Sequence, residues 1–305
     1  MVQKITTIII SWNTRDYLHK CLESISSFFS AELNRTIVID NDSSDASADM
    51  VREDFPSVEL IENSENVGFA KACNQGMAMA DSDIILLLNS DCEISSDDLL
   101  PTIITLFEND ESIGIAGPLI LYPDGKLQSA GQEFTSLKKL VKHQLLFQAA
   151  PIFSRNKGLV DNKNYFDADY VSGSCLFIRT QVLEKIGMFN ESFIMYAEDM
   201  DLCYRAKQSG FKVVVEPSVS VVHHKSKSTN KNLTKSLRLS TRNNCIFIKK
   251  QSGKFHALIA LKIYFLGTAM RVILAFFRKS TSPKDWFRLW LHIPFLWKEI
   301  VGFED

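Results

Sequence analysis

The sequence predicts an α/β fold: a Rossmann-like, mostly parallel sheet flanked by helices, followed by a helical, membrane-associating extension. Three observations carry this expectation. Over residues 5–89, short apolar runs alternate with stretches of helical periodicity, as parallel strands and their crossovers require. The runs end in polar clusters, and open α/β sheets bind ligands at that edge. Charge also divides along the chain. Residues 1–224 carry 18 Lys+Arg against 32 Asp+Glu, net −14, whereas residues 225–305 carry 16 against 4, net +12. Such a split points to two regions with different partners.

The elements follow in order. ITTIIIS (5–11) is a β-branched run suited to a buried parallel strand. Tyr17, Leu18, Cys21, Leu22 and Ile25 recur at helical spacing over 15–29. TIVID (36–40) is a second strand, and Ser43, Ser44 and Asp45 are capping types ahead of a helix over 46–54. VELIEN (58–63) is a third strand, and the small residues of 68–80 read as a helix. DIILLLN (83–89) is the most apolar run and belongs at the centre of the sheet. The 123–168 segment is loop-rich. YVSGSCLFI (170–178) is strand-like, with a helix after it over 180–187. EDMDLCYRAKQSG (198–210) reads as a helix opened by acids and closed by Lys207 and Gly210. FKVVVEPSVSVVHH (211–224) predicts two strands separated at Pro217.

Several classes drop out. With 305 residues and 46% hydrophobic content the chain can bury a large core, which excludes disorder and small disulfide scaffolds. The six cysteines form no C-x-x-C pair, so they are expected to be reduced and buried. The start, MVQKITTIIISWN, does not read as a signal peptide. There is no G-x-G-x-x-G after the first strand and no P-loop. The basic tail contains no recognisable nucleic-acid module, and no nucleic acid is expected as a partner.

Four constellations can carry chemistry, each with a plainer alternative. NSD (89–91) follows the most apolar strand. A carboxylate there suits Mg2+ or Mn2+ with phosphate oxygens completing the shell; alternatively it is a loop leading to a helix capped by Ser95 or Ser96. IDNDSSD (39–45) offers acceptors, Asp40 and Asp42 among them, to a base N–H or a ribose hydroxyl, or else is a polar turn. Glu198, Asp199 and Asp201 crowd the first turn of a helix. Dipole compensation accounts for acids there, but three within four residues also favour a raised carboxylate pKa and a general base. His223 and His224 end a strand and are either structural or ligands to a metal or phosphate.

In this order and spacing, the chain resembles the family-2 inverting glycosyltransferases of the GT-A fold, in particular their bacterial rhamnosyltransferase-like branch. The resemblance spans about residues 4–228. It rests on IISWN (9–13), IDNDSSD (39–45), ENVGFAKACNQG (65–76), LLLNSD (86–91), GSCLFIR (173–179), GMFNESFIMYAEDMDLCYRAKQSGF (187–211) and the Pro217–His223 spacing. It implies that Asp40 reads the nucleobase and that Asn13 lies near the nucleotide. Asn66 and Gly68 open a helix whose N-terminus, with Asn74, flanks the donor. Asp91 binds the metal as the last acid of D-x-D. Asp199 is the catalytic base, with Glu198 the second choice, and His223 helps hold the metal-diphosphate, with His224 the alternative. Two positions depart from the pattern. Asn89 replaces the first acid of D-x-D, and Cys73 stands where many relatives have an arginine, whose contact is either missing here or supplied by another group such as Lys71.

The implied domains are 1–224, with 1–93 as nucleotide-binding half and 94–224 as acceptor half, and a basic, aromatic-rich helical extension over 225–305. The implied partners are a nucleotide-sugar donor and a saccharide or lipid-linked acceptor. Within the extension, 255–277 is apolar but interrupted by Lys262 and Arg271, and WFRLWLHIPFLW (286–297) sets Trp beside Arg. Both fit peripheral contact with the inner face of a cell membrane; the alternative is a basic extension packing on the acidic domain. The competing activities are a sugar-phosphate nucleotidyltransferase, which wants a Gly-rich basic loop where SWNTRDY stands, and a non-catalytic nucleotide-sugar-binding module.

Overall fold

β1 (Ile5–Ser11) lies at the heart of a ten-stranded sheet because its side chains are apolar or β-branched on both faces. Ile5, Ile8 and Ile9 are buried, and so are Thr6 and Thr7. The structure, a computed structural model, describes residues 4–29, 34–148, 165–193, 195–224, 233–277 and 283–303; the 149–164 part of the loop-rich segment therefore lies outside the described residues.

With elements numbered along the chain, β1 is followed by α1 (Arg15–Phe28), β2 (Asn34–Asp40), α2 (Ser47–Asp54), β3 (Glu59–Glu62), α3 (Phe69–Met79) and β4 (Ile84–Asn89). These match the expected alternation within a few residues. The buried face of α1 is Leu18, Cys21, Leu22 and Ile25, four of the five residues whose spacing marked the helix. α3 lies directly against β1: a Cβ on Gly76 would fall 2.5 Å from Ile8 Cγ2, so only glycine admits this approach.

The remaining strands are β5 (Cys92–Ile94), β6 (Ile113–Leu121), β7 (Leu127–Ser129), β8 (Phe166–Asp167), β9 (Cys175–Arg179) and β10 (Lys212–His223). α4 (Leu99–Asn109) precedes β6, while α6 (Thr180–Ile186) and α7 (Glu198–Gln208) lie between β9 and β10. The strand order is β3-β2-β1-β4-β9-β6-β10-β5, with β7 beside β6 and β8 beside β10. β1 to β4 pair in parallel as expected. β9, however, runs antiparallel to both β4 and β6, so the sheet is mixed. The two strands expected over 211–224 are one strand, β10. Its register against β6 shifts between Glu216 and Ser220, where Pro217 has no N–H to give the ladder, so the chain bulges without ending.

The chain divides into two compact units. The first comprises 1–133, 152–194 and 198–226; the second comprises 134–151, 195–197 and 227–305. The second contains α5 (Leu137–Leu140), α8 (Leu233–Ser252), α9 (Lys254–Phe277), α10 (Pro283–His292) and α11 (Leu296–Val301). Its inclusion of 134–151 was not visible in the sequence. Arg271 of α9 explains it by donating to the carbonyls of His143 and Gln144 at 2.8 and 3.1 Å. A Cβ on Gly267 would lie 2.7 Å from Gln144, so α9 meets that segment across a glycine. All six cysteines are buried and unpaired.

Candidate active site

Parallel pairing brings the carboxyl ends of β1, β2 and β4 together: Ser11 is opposite Asp40, and Ile10 is opposite Asn89. The loops beyond them are laced. Asn13, at φ 55°, donates its N–H to Ser43 Oγ at 2.9 Å, and its Oδ1 accepts from Ser44 N at 2.8 Å. Asp40 is 4% exposed; its Oδ2 accepts the N–H of Ser43 at 2.9 Å, while Oδ1 is buried with no partner. A buried acceptor left open costs stability unless a ligand donor meets it. Asp42, also at positive φ (66°), is exposed beside this loop. Thr14 Oγ1 links Ser11 Oγ (3.1 Å) to Ser90 Oγ (2.9 Å) and so ties β1 to the NSD motif.

The β3–α3 loop is held by Asn41, part of the polar cluster that ends β2. Its Nδ2 donates to Asn66 Oδ1 at 3.1 Å, and its Oδ1 accepts from Val67 N at 3.0 Å and Asn63 Nδ2 at 3.1 Å. Asn66 Oδ1 also accepts from Gly68 N at 3.0 Å, and Gly68 opens α3 at φ +89°. Lys71 is exposed on the first turn of α3. Asn74 is differently employed: its amide donates to Phe189 O and Glu191 Oε1 and accepts from Phe189 N, all at 3.0 Å. It pins the 189–191 loop.

Asp91 and His223 are 132 residues apart in sequence, yet antiparallel pairing of β5 with β10 sets them side by side, with His223 Nε2 3.2 Å from Asp91 Oδ1. Gln128, the middle residue of β7, orients the ring. Its Oε1 lies 2.6 Å from His223 Nδ1, and its Nε2 donates to the His223 carbonyl at 3.2 Å. A proton on Nδ1 satisfies that contact and leaves Nε2 as a lone-pair donor facing the carboxylate. His224 sits apart, its Nε2 2.8 Å from Glu93 Oε1 and its ring against Tyr17. Cys92 Sγ lies within 4.8 Å of the ligand atoms of Asp91 and His223. It donates to Ser174 O at 3.2 Å, and burial pushes its pKa well up, which keeps it a thiol. The remaining donors, a carboxylate and an imidazole, fit a hard or borderline divalent cation with oxygen ligands from a diphosphate.

The three acids of α7 separate in space. Asp201 is fully buried against Arg205, whose Nε donates to its Oδ2 at 2.7 Å while the other guanidinium nitrogens hold the carbonyls of Ile186, Gly187 and Met188. It is structural. Asp199 accepts from the N–H groups of Gly173 (3.0 Å) and Met200 (2.8 Å), which favour its charged form; burial outweighs them and raises its pKa. Glu198 has a buried Oε2 without a partner, and desolvation reinforced by Asp199 pushes its pKa up to about 8. Cys73 lies close enough for Glu198 to raise its thiol pKa further. A short turn joins the two centres of chemistry: Gly173 donates to Asp199, and the next residue, Ser174, accepts from Asn89 N at 3.0 Å and from Cys92 Sγ.

Comparison with known proteins places the chain in a family and a fold. Residues 6–187 match the family described as Glycosyl transferase family 2. The N-acetylglucosaminyl-diphospho-decaprenol L-rhamnosyltransferase of Mycobacterium tuberculosis is 24% identical over 84% of this chain and 88% of its own length. The rhamnosyltransferase WbbL of Escherichia coli is 26% identical over 71% of this chain and 82% of its own. Among solved structures, the mannosyltransferase PcManGT of Pyrobaculum calidifontis with GDP-Man and Mn2+ superposes with a TM-score of 0.60 at 13% identity, covering 100% of this chain and 89% of that one. The family match sets aside the nucleotidyltransferase reading. The chain carries the GT-A fold and belongs to glycosyl transferase family 2.

Proposed function

We propose that this glycosyltransferase moves a sugar, rhamnose first among the candidates, from a nucleoside-diphosphate donor to a hydroxyl of a saccharide or polyprenyl-linked acceptor, with inversion, at the cytoplasmic membrane face in bacterial surface polysaccharide synthesis. The observation that carries the reading is the Asp91–His223 pair at the same sheet edge as Asp40, joined through the 173–174 turn to Asp199. The rhamnosyl and polyprenyl parts lean on the names of the relatives.

In this reading Asp40 Oδ1 accepts a base N–H, and the loops carrying Asn13 and Asn66 frame the nucleotide. Asp91 and His223 Nε2 would hold Mg2+ or Mn2+, which supplies positive charge beside the diphosphate. Burial raises the pKa of both acids, to about 8 for Glu198, but only Asp199 accepts two backbone N–H groups that favour its charged form, and so Asp199 is read as the base. Asp199 takes the proton from the acceptor hydroxyl as its oxygen bonds to the anomeric carbon. The bond from that carbon to the diphosphate oxygen breaks with its electron pair leaving on the nucleotide, and a single displacement inverts the centre.

Membrane contact belongs to the second unit. α9 is the one helix among the described residues long and apolar enough to cross a membrane. Its two faces favour a different placement. Ala257, Ala260, Leu261, Ile263, Tyr264 and Thr268 are buried within the unit, while Phe255, Leu258, Leu266, Met270 and Ile273 form an exposed stripe, with Lys262 the charged residue within it. A helix packed on one side and apolar on the other lies along an interface with its lysine snorkelling to the headgroups. Phe287, Leu291, Phe295 and Trp297 extend the exposed apolar surface, and Arg288 and Lys298 add charge attractive to anionic lipid.

The test is direct. dTDP-rhamnose, then other nucleotide sugars, are incubated with Mn2+ and a polyprenyl-diphosphate-linked saccharide, and product and released nucleotide are measured. Transfer with inverted configuration is expected. A folded protein that turns over no donor would favour a binding module instead.

A further inference from the structure

Immediately before Glu198 the backbone is twice left-handed: Tyr196 and Ala197 sit at φ 71° and 72°. Neither is glycine, and such conformations persist only where the surroundings over-determine them. The constraint comes from α8. Asn243 is fully buried, and its Nδ2 donates to the carbonyls of both Met195 and Tyr196 at 2.9 Å. Its Oδ1 accepts from Arg242 Nη1 at 2.8 Å. Arg242 Nε donates in turn to Glu299 Oε2 at 2.9 Å, and Glu299 Oε1 accepts from Arg238 at 2.6 Å. Both amide protons and the amide oxygen are therefore engaged, a pattern that only a carboxamide side chain, asparagine or the longer glutamine, can meet.

We propose that Asn243 is a positioning residue for transfer: it clamps the left-handed turn at Tyr196–Ala197 and so sets where α7 begins and where Asp199 meets the N–H of Gly173. The proposal rests on the reading of Asp199 as the base. α7 starts at the next peptide bond, so a change at Tyr196–Ala197 alters the direction in which Glu198 and Asp199 leave the turn.

Asn243→Asp keeps the size and removes both donors, and Asn243→Ser removes one donor and shrinks the side chain. Both are compared with the parent for kcat, donor KM, Mn2+ affinity and the pH profile of kcat. A 10- to 100-fold fall in kcat is expected, with donor KM and Mn2+ affinity within about threefold and the acid limb of the kcat profile displaced, because the surroundings of the carboxylate pair change. Adding Ala197→Gly to Asn243→Asp is expected to recover part of kcat, since glycine adopts positive φ without a clamp. Three results would each overturn the proposal: kcat within twofold of the parent, kcat and KM worsening together on an unchanged pH profile, or neither variant folding, which would make Asn243 a purely structural residue of the second unit. Failure of the base reading would register separately, as turnover retained by Asp199→Asn whatever the Asn243 variants do.

Discussion

Replacing Glu198 with glutamine is expected to make the protein more stable in alkali and to leave it unchanged in acid. Glu198 is buried beside Asp199, with one carboxylate oxygen unpartnered, and its pKa rises from 4.5 to about 8. Between those values the folded state holds a proton that the unfolded state has released. Stability therefore falls as pH climbs through this window, and the benefit of the neutral acid is complete only below the unfolded value. At 1.36 kcal/mol per pH unit the loss reaches about 5 kcal/mol by pH 8, an upper figure because part of it is repulsion from Asp199. Glutamine has the same shape and no proton to lose. Melting temperatures of parent and variant, measured by scanning fluorimetry from pH 4.5 to 9, should coincide at the acid end and separate by roughly 10 °C at the alkaline end. Curves that stay parallel across the range would show that Glu198 is not held neutral by burial.

Four further outcomes follow from the same geometry. Asp199→Asn should abolish transfer while keeping the Kd for the nucleotide-sugar donor within threefold, as read by calorimetry; normal turnover would remove it as base. Asp40→Ala loses an acceptor for the base and should weaken donor binding about 10- to 100-fold with a smaller change in kcat, the range for a charge-assisted hydrogen bond. Gln128→Leu should cost 10- to 100-fold in Mn2+ affinity, monitored by paramagnetic resonance, because His223 loses the partner that fixes its ring; unchanged affinity would argue against His223 as a ligand. Phe255→Ser combined with Ile273→Ser should reduce flotation with anionic vesicles several-fold at unchanged melting temperature, and equal partitioning would exclude the α9 stripe as the membrane face.

The first half of the sheet was legible because its signals are local. A β-branched run such as ITTIIIS and the spacing of Leu18, Cys21, Leu22 and Ile25 each report an element without reference to the rest of the chain. Strand direction is not local. YVSGSCLFI has the composition of a strand whichever way it runs, so the antiparallel insertion of β9 between β4 and β6 could be learned only from its partners. At Pro217 a local rule misled, because a bulge absorbs the missing N–H and the strand continues. The motif residues were marked by their spacing, whereas the residues that hold them were not. Gln128 and Asn243 are single amides outside any motif, Asn41 sits within IDNDSSD without its role being marked there, and the three act through contacts made 95, 48 and 25 residues away along the chain. Crowding of Glu198, Asp199 and Asp201 was visible, but the assignment of Asp201 to Arg205 needed the fold of the 186–188 loop.

The turn at 172–174 has a consequence for how this enzyme can change. Gly173 gives its N–H to the proposed base, and Ser174 gives its carbonyl to the strand end that carries Asn89 and to the thiol of Cys92, one residue past Asp91. The residues that would hold the departing diphosphate and the residue that would receive the proton are thus both measured from one pair of peptide units. Loops elsewhere on the sheet edge can lengthen, shorten or exchange sugars and acceptors while this common datum stays put. Divergence in what is transferred and retention of how it is transferred then become separable traits, and a substitution that displaces the 173–174 peptide is the kind that would disable every donor and acceptor at once.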